Sequence, residues 1–120
     1  EMCIRDRAVV SNKLHPAVVE LNERFFKDYI TSAVGESATV RRKPNPDAVL
    51  AALSELGCSK DEAVYVGDSE VDLHTAQNAG MQCMLVLWGF RDEDFLRSLP
   101  GASLFAQCPA DILSWLDTQC

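Results

Sequence analysis

The sequence predicts a doubly wound α/β fold: a parallel, Rossmann-like sheet held between helices in three layers, α/β/α. Three observations carry this expectation. Short apolar runs rich in β-branched residues alternate with stretches whose apolar residues recur at helical spacing, in the order β-α-β-α-β-α-β-α followed by a small tail. Such alternation builds parallel strands joined by helical crossovers. Residues 83–88 (CMLVLW) are apolar at every position, as in a strand covered on both faces. Residues 63–80 (AVYVGDSEVDLHTAQNAG) read as a buried strand, a sharp turn at Gly67 and Asp68, and a helix opened by Ser69 and stopped by Gly80. This last stretch gathers Asp68 and Asp72 at the carboxyl end of a strand, where ligands bind in open α/β sheets.

Taken in order, residues 1–7 (EMCIRDR) have no apolar period and no cap. They resemble translated adapter sequence and are expected to be a non-native leader, leaving 8–120 as the folded part. Residues 8–10 form a short strand ending at Ser11, Asn12 and Lys13. From Pro16 to Phe26, Val18, Leu21 and Phe25 with Val19 and Phe26 recur at helical spacing, and Pro16 suits the first turn. Residues 29–34 predict a strand ended by Gly35, and a polar loop runs on to Lys43. The next helix is bounded by Asn45 as N-cap, Pro46 at its first position, Asp47 at its positive end and Gly57 after its last turn. Val49, Leu50, Leu53 and Leu56 supply its buried stripe. A turn over 58–62 leads into the strand of the central stretch. Beyond 83–88, residues 92–99 predict a helix, 103–106 a strand, and 109–116 a last helix with Ile112, Leu113 and Leu116 inward.

One domain is expected from 120 residues, and 48% hydrophobic content suits a globular core. A net charge of −7, from 11 basic and 18 acidic residues, argues against nucleic acid or an anionic membrane as partner. No apolar run approaches a membrane span of about 20 residues, and no signal peptide pattern opens the chain. A cytoplasmic location is therefore expected. The cysteines (Cys3, Cys58, Cys83, Cys108 and Cys120) are odd in number, widely spaced and without a CxxC pair. Free thiols, rather than a zinc cluster or a disulfide scaffold, follow. Cys83 and Cys108 are expected in or near the core.

The chemistry gathers on a few side chains. Asp68, where a strand hands over to a loop, suits a hard cation such as Mg²⁺. Asp72 either joins it or simply completes the Ser69–Asp72 spacing of a capping box. Lys43, stiffened by Pro44 and Pro46, stands before a helix and fits a phosphate group or a carboxylate. Ser11 and Asn12, at a strand end, either donate to a phosphate oxygen or cap the following helix. His15 and His74 lack a second ligand at helical spacing and are expected to face solvent. Arg41 and Arg42 read as surface loop residues.

The segments VVSNK, RKPNPDAV, VYVGDSEVDLHTAQNAGM and VLWGF, in that order, resemble the haloacid dehalogenase-like hydrolases, and within them the phosphoglycolate-phosphatase-type members. The resemblance spans residues 8–116. It implies a Mg²⁺-dependent phosphatase acting through an aspartyl-phosphate on a small phosphorylated metabolite. It also implies that Ser11 and the Asn12 amide bind the phosphoryl group, that Lys43 offsets charge, and that Asp68 ligates Mg²⁺. Asp72 would support the metal's waters or orient Lys43, while Gly67 and Ser69 shape the loop.

One departure stands out. The family's first motif, a strand ending in D-x-D-x-T or D-x-D-x-V, has no match, since Asp92-Glu93-Asp94 follows the fourth motif instead of preceding the second. That strand lies mid-sheet in the family, and a helical cap follows it. The expectation is therefore an incomplete sheet without its central strand or cap, marginal folding, and no phosphatase activity from this chain alone. The alternative is a non-catalytic phospho-ligand or receiver-like regulatory domain. Receiver domains, however, carry their acids early and their lysine late, whereas here Lys43 precedes Asp68.

Overall fold

The computed structural model describes residues 6–26, 32–89 and 91–118. Five strands and five α-helices alternate: β1 (Ala8–Leu14), α1 (His15–Leu21), β2 (Ser32–Glu36), α2 (Asp47–Leu56), β3 (Val64–Gly67), α3 (Glu70–Ala79), β4 (Gln82–Val86), α4 (Glu93–Arg97), β5 (Leu104–Ala106) and α5 (Pro109–Asp117). A π-helical turn, Asn22–Phe26, extends α1, and a 3₁₀ turn, Lys60–Glu62, precedes β3. Among the described residues no helix is long and apolar enough to cross a membrane.

All strand pairing is parallel, as the alternation predicts, but it falls into two sheets. In one, β1 pairs with β2 from Ala8↔Ser32 to Val10↔Val34, and the register then shifts before Leu14↔Glu36. In the other, β4 lies between β3 and β5, with Val64↔Gln82 and Met84↔Leu104. No ladder joins β1 to β3 among the described residues, so the sheet is incomplete between them. The two halves still share a core, because Val10 packs against the cluster of Val49, Tyr65, Ala76 and Ala79. The central strand β4 is covered on both faces. Leu85 packs with Leu73 and Leu96 on one side, while Met84 and Val86 pack with Ala106, Ile112 and Trp115 on the other.

Both predicted glycine stops hold: Gly57 and Gly80 take left-handed φ values of 70° and 74° after α2 and α3. Several other boundaries move. β1 runs on through Ser11 and Asn12 to Leu14 instead of stopping at residue 10, and Gly35 lies inside β2 instead of ending it. The start of the strand expected over 29–34 falls outside the described residues, as do Cys3 and Cys120. His15 does not simply face solvent, since the Gly35 amide donates to its Nδ1 at 3.1 Å. Asn45 does not cap α2. Pro46 occupies that position, and the Asn45 side-chain amide donates to the Arg42 carbonyl at 3.0 Å. Asp47 is claimed by Arg41, whose Nε and Nη2 reach its two carboxylate oxygens at 2.8 and 3.0 Å, and this pair ties down the loop.

Four apolar residues expected inside lie outside, among them Trp88, which is exposed beyond the end of β4. Leu50 is exposed, and α2 buries Ala48, Val49, Ala52 and Leu53 in its place. Leu113 is 61% exposed because α5 turns Ile112 and Trp115 onto the sheet, which leaves Leu113 off that face. Val66 is 41% exposed. Tyr65 points toward α2 and α3, so alternation sends Val66 to the opposite face, on a strand with no neighbour on one side among the described residues. Cys58, Cys83 and Cys108 are free thiols, and Cys108 is exposed, not near the core.

Candidate active site

The middle of β1 and the carboxyl end of β3, the two strands that flank the break in the sheet, lie where the residues singled out from the sequence gather. β1 presents Ser11 and Asn12, both half-buried. β3 ends at Gly67 and delivers Asp68, and the first turn of α3 delivers Asp72. Lys43 comes from the loop before α2.

Asp72 is the hub. Its Oδ1 accepts from Lys43 Nζ at 2.8 Å and from the Tyr65 hydroxyl at 3.1 Å. Its Oδ2 accepts from the Asp68 amide at 3.0 Å and lies 3.4 Å from Ser69 Oγ. The carboxylate binds the Asp68 amide and the Lys43 ammonium, and α3 has no side-chain cap at Ser69. Burial alone pushes the Asp72 pKa up, but the Lys43 ammonium, the Asp68 amide and the Tyr65 hydroxyl outweigh it and hold the carboxyl below its ordinary range. Gly67 makes the approach possible, since a Cβ there would overlap the Asp72 side chain.

Asp68 is arranged differently. It is half-buried, and among the described residues no hydrogen bond or ion pair engages its carboxylate. The backbone after β4 closes against it: a Cβ on Gly89 would lie 2.6 Å from Asp68 Cβ and 2.9 Å from its Oδ2. An ion pair of 2.8 Å between Arg91 and Glu70 ties that loop to the start of α3.

These two environments test the expected cation. A half-buried carboxylate left open on one side suits Mg²⁺, which binds through one or two carboxylates and keeps several waters. Asp72 differs in that both of its oxygens accept from protein donors, an arrangement that orients Lys43. No group of three or more His, Cys, Asp or Glu side chains forms a metal cage among the described residues.

Three contributions were not apparent from the sequence. Asn12 Oδ1 accepts from the Lys43 amide at 2.7 Å, so its side chain anchors the lysine's own backbone. Asn78 Nδ2 donates to the Pro44 carbonyl at 2.8 Å. Tyr65, read only as part of an apolar run, places its hydroxyl on Asp72; burial and then the Asp72 charge push its pKa up. A tyrosine in a buried strand needs a polar partner, and that need was the available signal. Burial, with Asp72 second, pushes the nearby Cys83 thiol up to about 12, which keeps it protonated and a poor nucleophile.

A family model for haloacid dehalogenase-like hydrolases matches residues 6–86. The chain belongs to this family. Membership among the haloacid dehalogenase-like hydrolases removes the receiver-like alternative. The chain is 36% identical over 99 residues to a phosphoglycolate phosphatase of Rhodobacter capsulatus, covering 82% of this chain and 44% of that protein. It is 35% identical over 88 residues to a phosphoglycolate phosphatase of Aquifex aeolicus, covering 69% and 39%. A solved candidate phosphoglycolate phosphatase from Lactobacillus delbrueckii subsp. bulgaricus superposes with a TM-score of 0.87 at 39% identity, over 92% of this chain and 46% of that one. The chain thus spans less than half the length of these haloacid dehalogenase-like relatives.

Proposed function

We propose that these residues are the carboxyl-terminal share of the reaction centre of a Mg²⁺-dependent phosphatase, acting in the cytoplasm on a small phosphomonoester of the phosphoglycolate kind. The observation that carries this reading is the Lys43–Asp72 ion pair of 2.8 Å set beside an Asp68 carboxylate that no described residue engages. Phosphoryl transfer is catalysed mainly by positioning and by offsetting charge, so an ammonium, an open carboxylate and hydroxyl and amide donors make a coherent set.

In the whole enzyme a carboxylate from outside this set attacks phosphorus, the P–O ester bond breaks, and a second carboxyl group from outside this set gives its proton to the leaving ester oxygen. Water then hydrolyses the resulting aspartyl-phosphate. Ser11 Oγ and the Asn12 amide donate to phosphoryl oxygens, while Lys43, held by Asp72, offsets the charge of nucleophile and phosphate. Asp68 would hold Mg²⁺, which would supply Lewis-acid polarisation of the phosphoryl group when bound. The net charge of −7 favours a small-molecule partner over nucleic acid or membrane.

Reading the genomic DNA upstream of this stretch and assaying the encoded protein tests the proposal. An upstream D-x-D motif followed by a helical cap is expected, together with phosphoglycolate hydrolysis that a chelator abolishes. In that protein Lys43→Ala and Asp68→Asn should each lower kcat by about 100-fold or more. The 120-residue chain alone should turn over no phosphoester, and Mg²⁺-dependent turnover by it would refute that part of the reading.

A further inference from the structure

The Lys43–Pro44 dipeptide is gripped from two directions. From β1, Asn12 Oδ1 accepts from the Lys43 amide at 2.7 Å. From the last turn of α3, Asn78 Nδ2 donates to the Pro44 carbonyl at 2.8 Å. The first turn of the same helix receives Lys43 Nζ on Asp72. One rigid helix therefore sets both the backbone just after the lysine and the oxygen that its ammonium reaches. Asn78 is exposed, and among the described residues its side chain makes no other hydrogen bond, so core packing does not account for it. A loop lysine without such anchors would sample many rotamers, and long side chains lose the most freedom when they are fixed.

We propose that Asn78 is a positioning residue for Lys43, acting through the Pro44 carbonyl, with Asn12 as the opposing anchor. The role rests on the reading of Lys43 as the site's ammonium. Its geometric content can be measured without any phosphatase activity, so the two can fail separately.

The test is competitive acylation of the lysines of the folded chain by an N-hydroxysuccinimide ester, at a dilution and temperature where circular dichroism shows it folded, with Lys43 read against exposed Lys60 by mass spectrometry. Lys43 is expected to label more slowly than Lys60. Asn78→Ala should raise Lys43 labelling by about threefold relative to Lys60, the effect of losing one ordinary hydrogen bond. Alanine favours an exposed helical position, so this change does not weaken α3 itself. Asn78→Asp, which keeps the shape but cannot donate to Pro44, should behave like Asn78→Ala, while Asn78→Gln, which keeps the amide donor, should restore part of the protection. Lys43 labelling unchanged in both Asn78→Ala and Asn78→Asp overturns the proposal. So does equal labelling of Lys43 and Lys60 in the unaltered chain. Should Asn78→Ala expose all lysines by unfolding, the contrast between Asn78→Asp and Asn78→Gln decides it: protection by Gln alone supports the proposal, and identical labelling overturns it.

Discussion

Lys43 and Tyr65 donate to the same oxygen of Asp72, at 2.8 and 3.1 Å, and so a single buried carboxylate atom joins a loop ammonium to a strand hydroxyl. Burial opposes ionisation of Asp72 while these donors favour it, and the donors win. The folded-state pKa is depressed, so the stability that the ionised group contributes is complete above the unfolded value of 3.8 and is lost as pH falls through the folded value. Carboxyl carbon NMR should place the Asp72 midpoint below 3.8. Lys43→Met should raise it, because burial is then opposed by fewer donors.

Tyr65 carries the opposite sign. Its folded pKa is raised above 10.0, first by burial and then by the Asp72 charge. The stability linked to it is complete below pH 10.0 and falls as pH rises toward the folded value. In a Tyr29→Phe background, phenolate absorbance should stay low through pH 10.0 in the folded protein and rise there in the denatured one. Coincident titrations would show that the hydroxyl is not held on Asp72.

Gly67→Ala should be severe for its size. The added methyl overlaps the Asp72 side chain, which must then leave the Asp68 amide. A cost of about 1–3 kcal/mol is expected from overpacking, read as a drop in the urea midpoint. A matched midpoint for the variant would mean that the β3–α3 turn yields freely.

Among the described residues β1 and β3 each leave one edge without a ladder, and Val66 lies exposed on β3. Open strand edges template association, and each missing ladder bond forgoes about 0.5–1.5 kcal/mol against a typical total of about 5–15. The chain alone should melt broadly and scatter more light as its concentration rises. A sharp calorimetric transition from a soluble monomer would contradict this.

The parallel α/β plan was legible because alternation and the run over β4 report burial directly, and Gly57 and Gly80 stop helices by a local rule that tertiary contacts do not override. Asp68, Asp72 and Lys43 were legible as residue types at strand and helix ends. Their division of labour was not: whether Asp72 holds a cation, a cap or a lysine depends on which donors come within reach across 29 residues of sequence. Asn45 illustrates the same limit. It satisfies the local rule for a cap, yet the loop turns its amide onto Arg42 and hands the position to Pro46. Asn78 carries no local signal at all, since nothing in a helical AQNAG shows which carbonyl lies beside it.

The break between β1 and β3 gives Lys43 a mechanical place as well as a chemical one. Its amide is fastened to β1 through Asn12 and its ammonium to the β3–α3 half through Asp72. One residue thus bridges two half-sheets that share no backbone ladder among the described residues. Any shear of one half against the other loads that lysine, and a displacement that separates the halves also removes the ammonium from its carboxylate. The integrity of the fold and the readiness of its charge are reported by the same side chain.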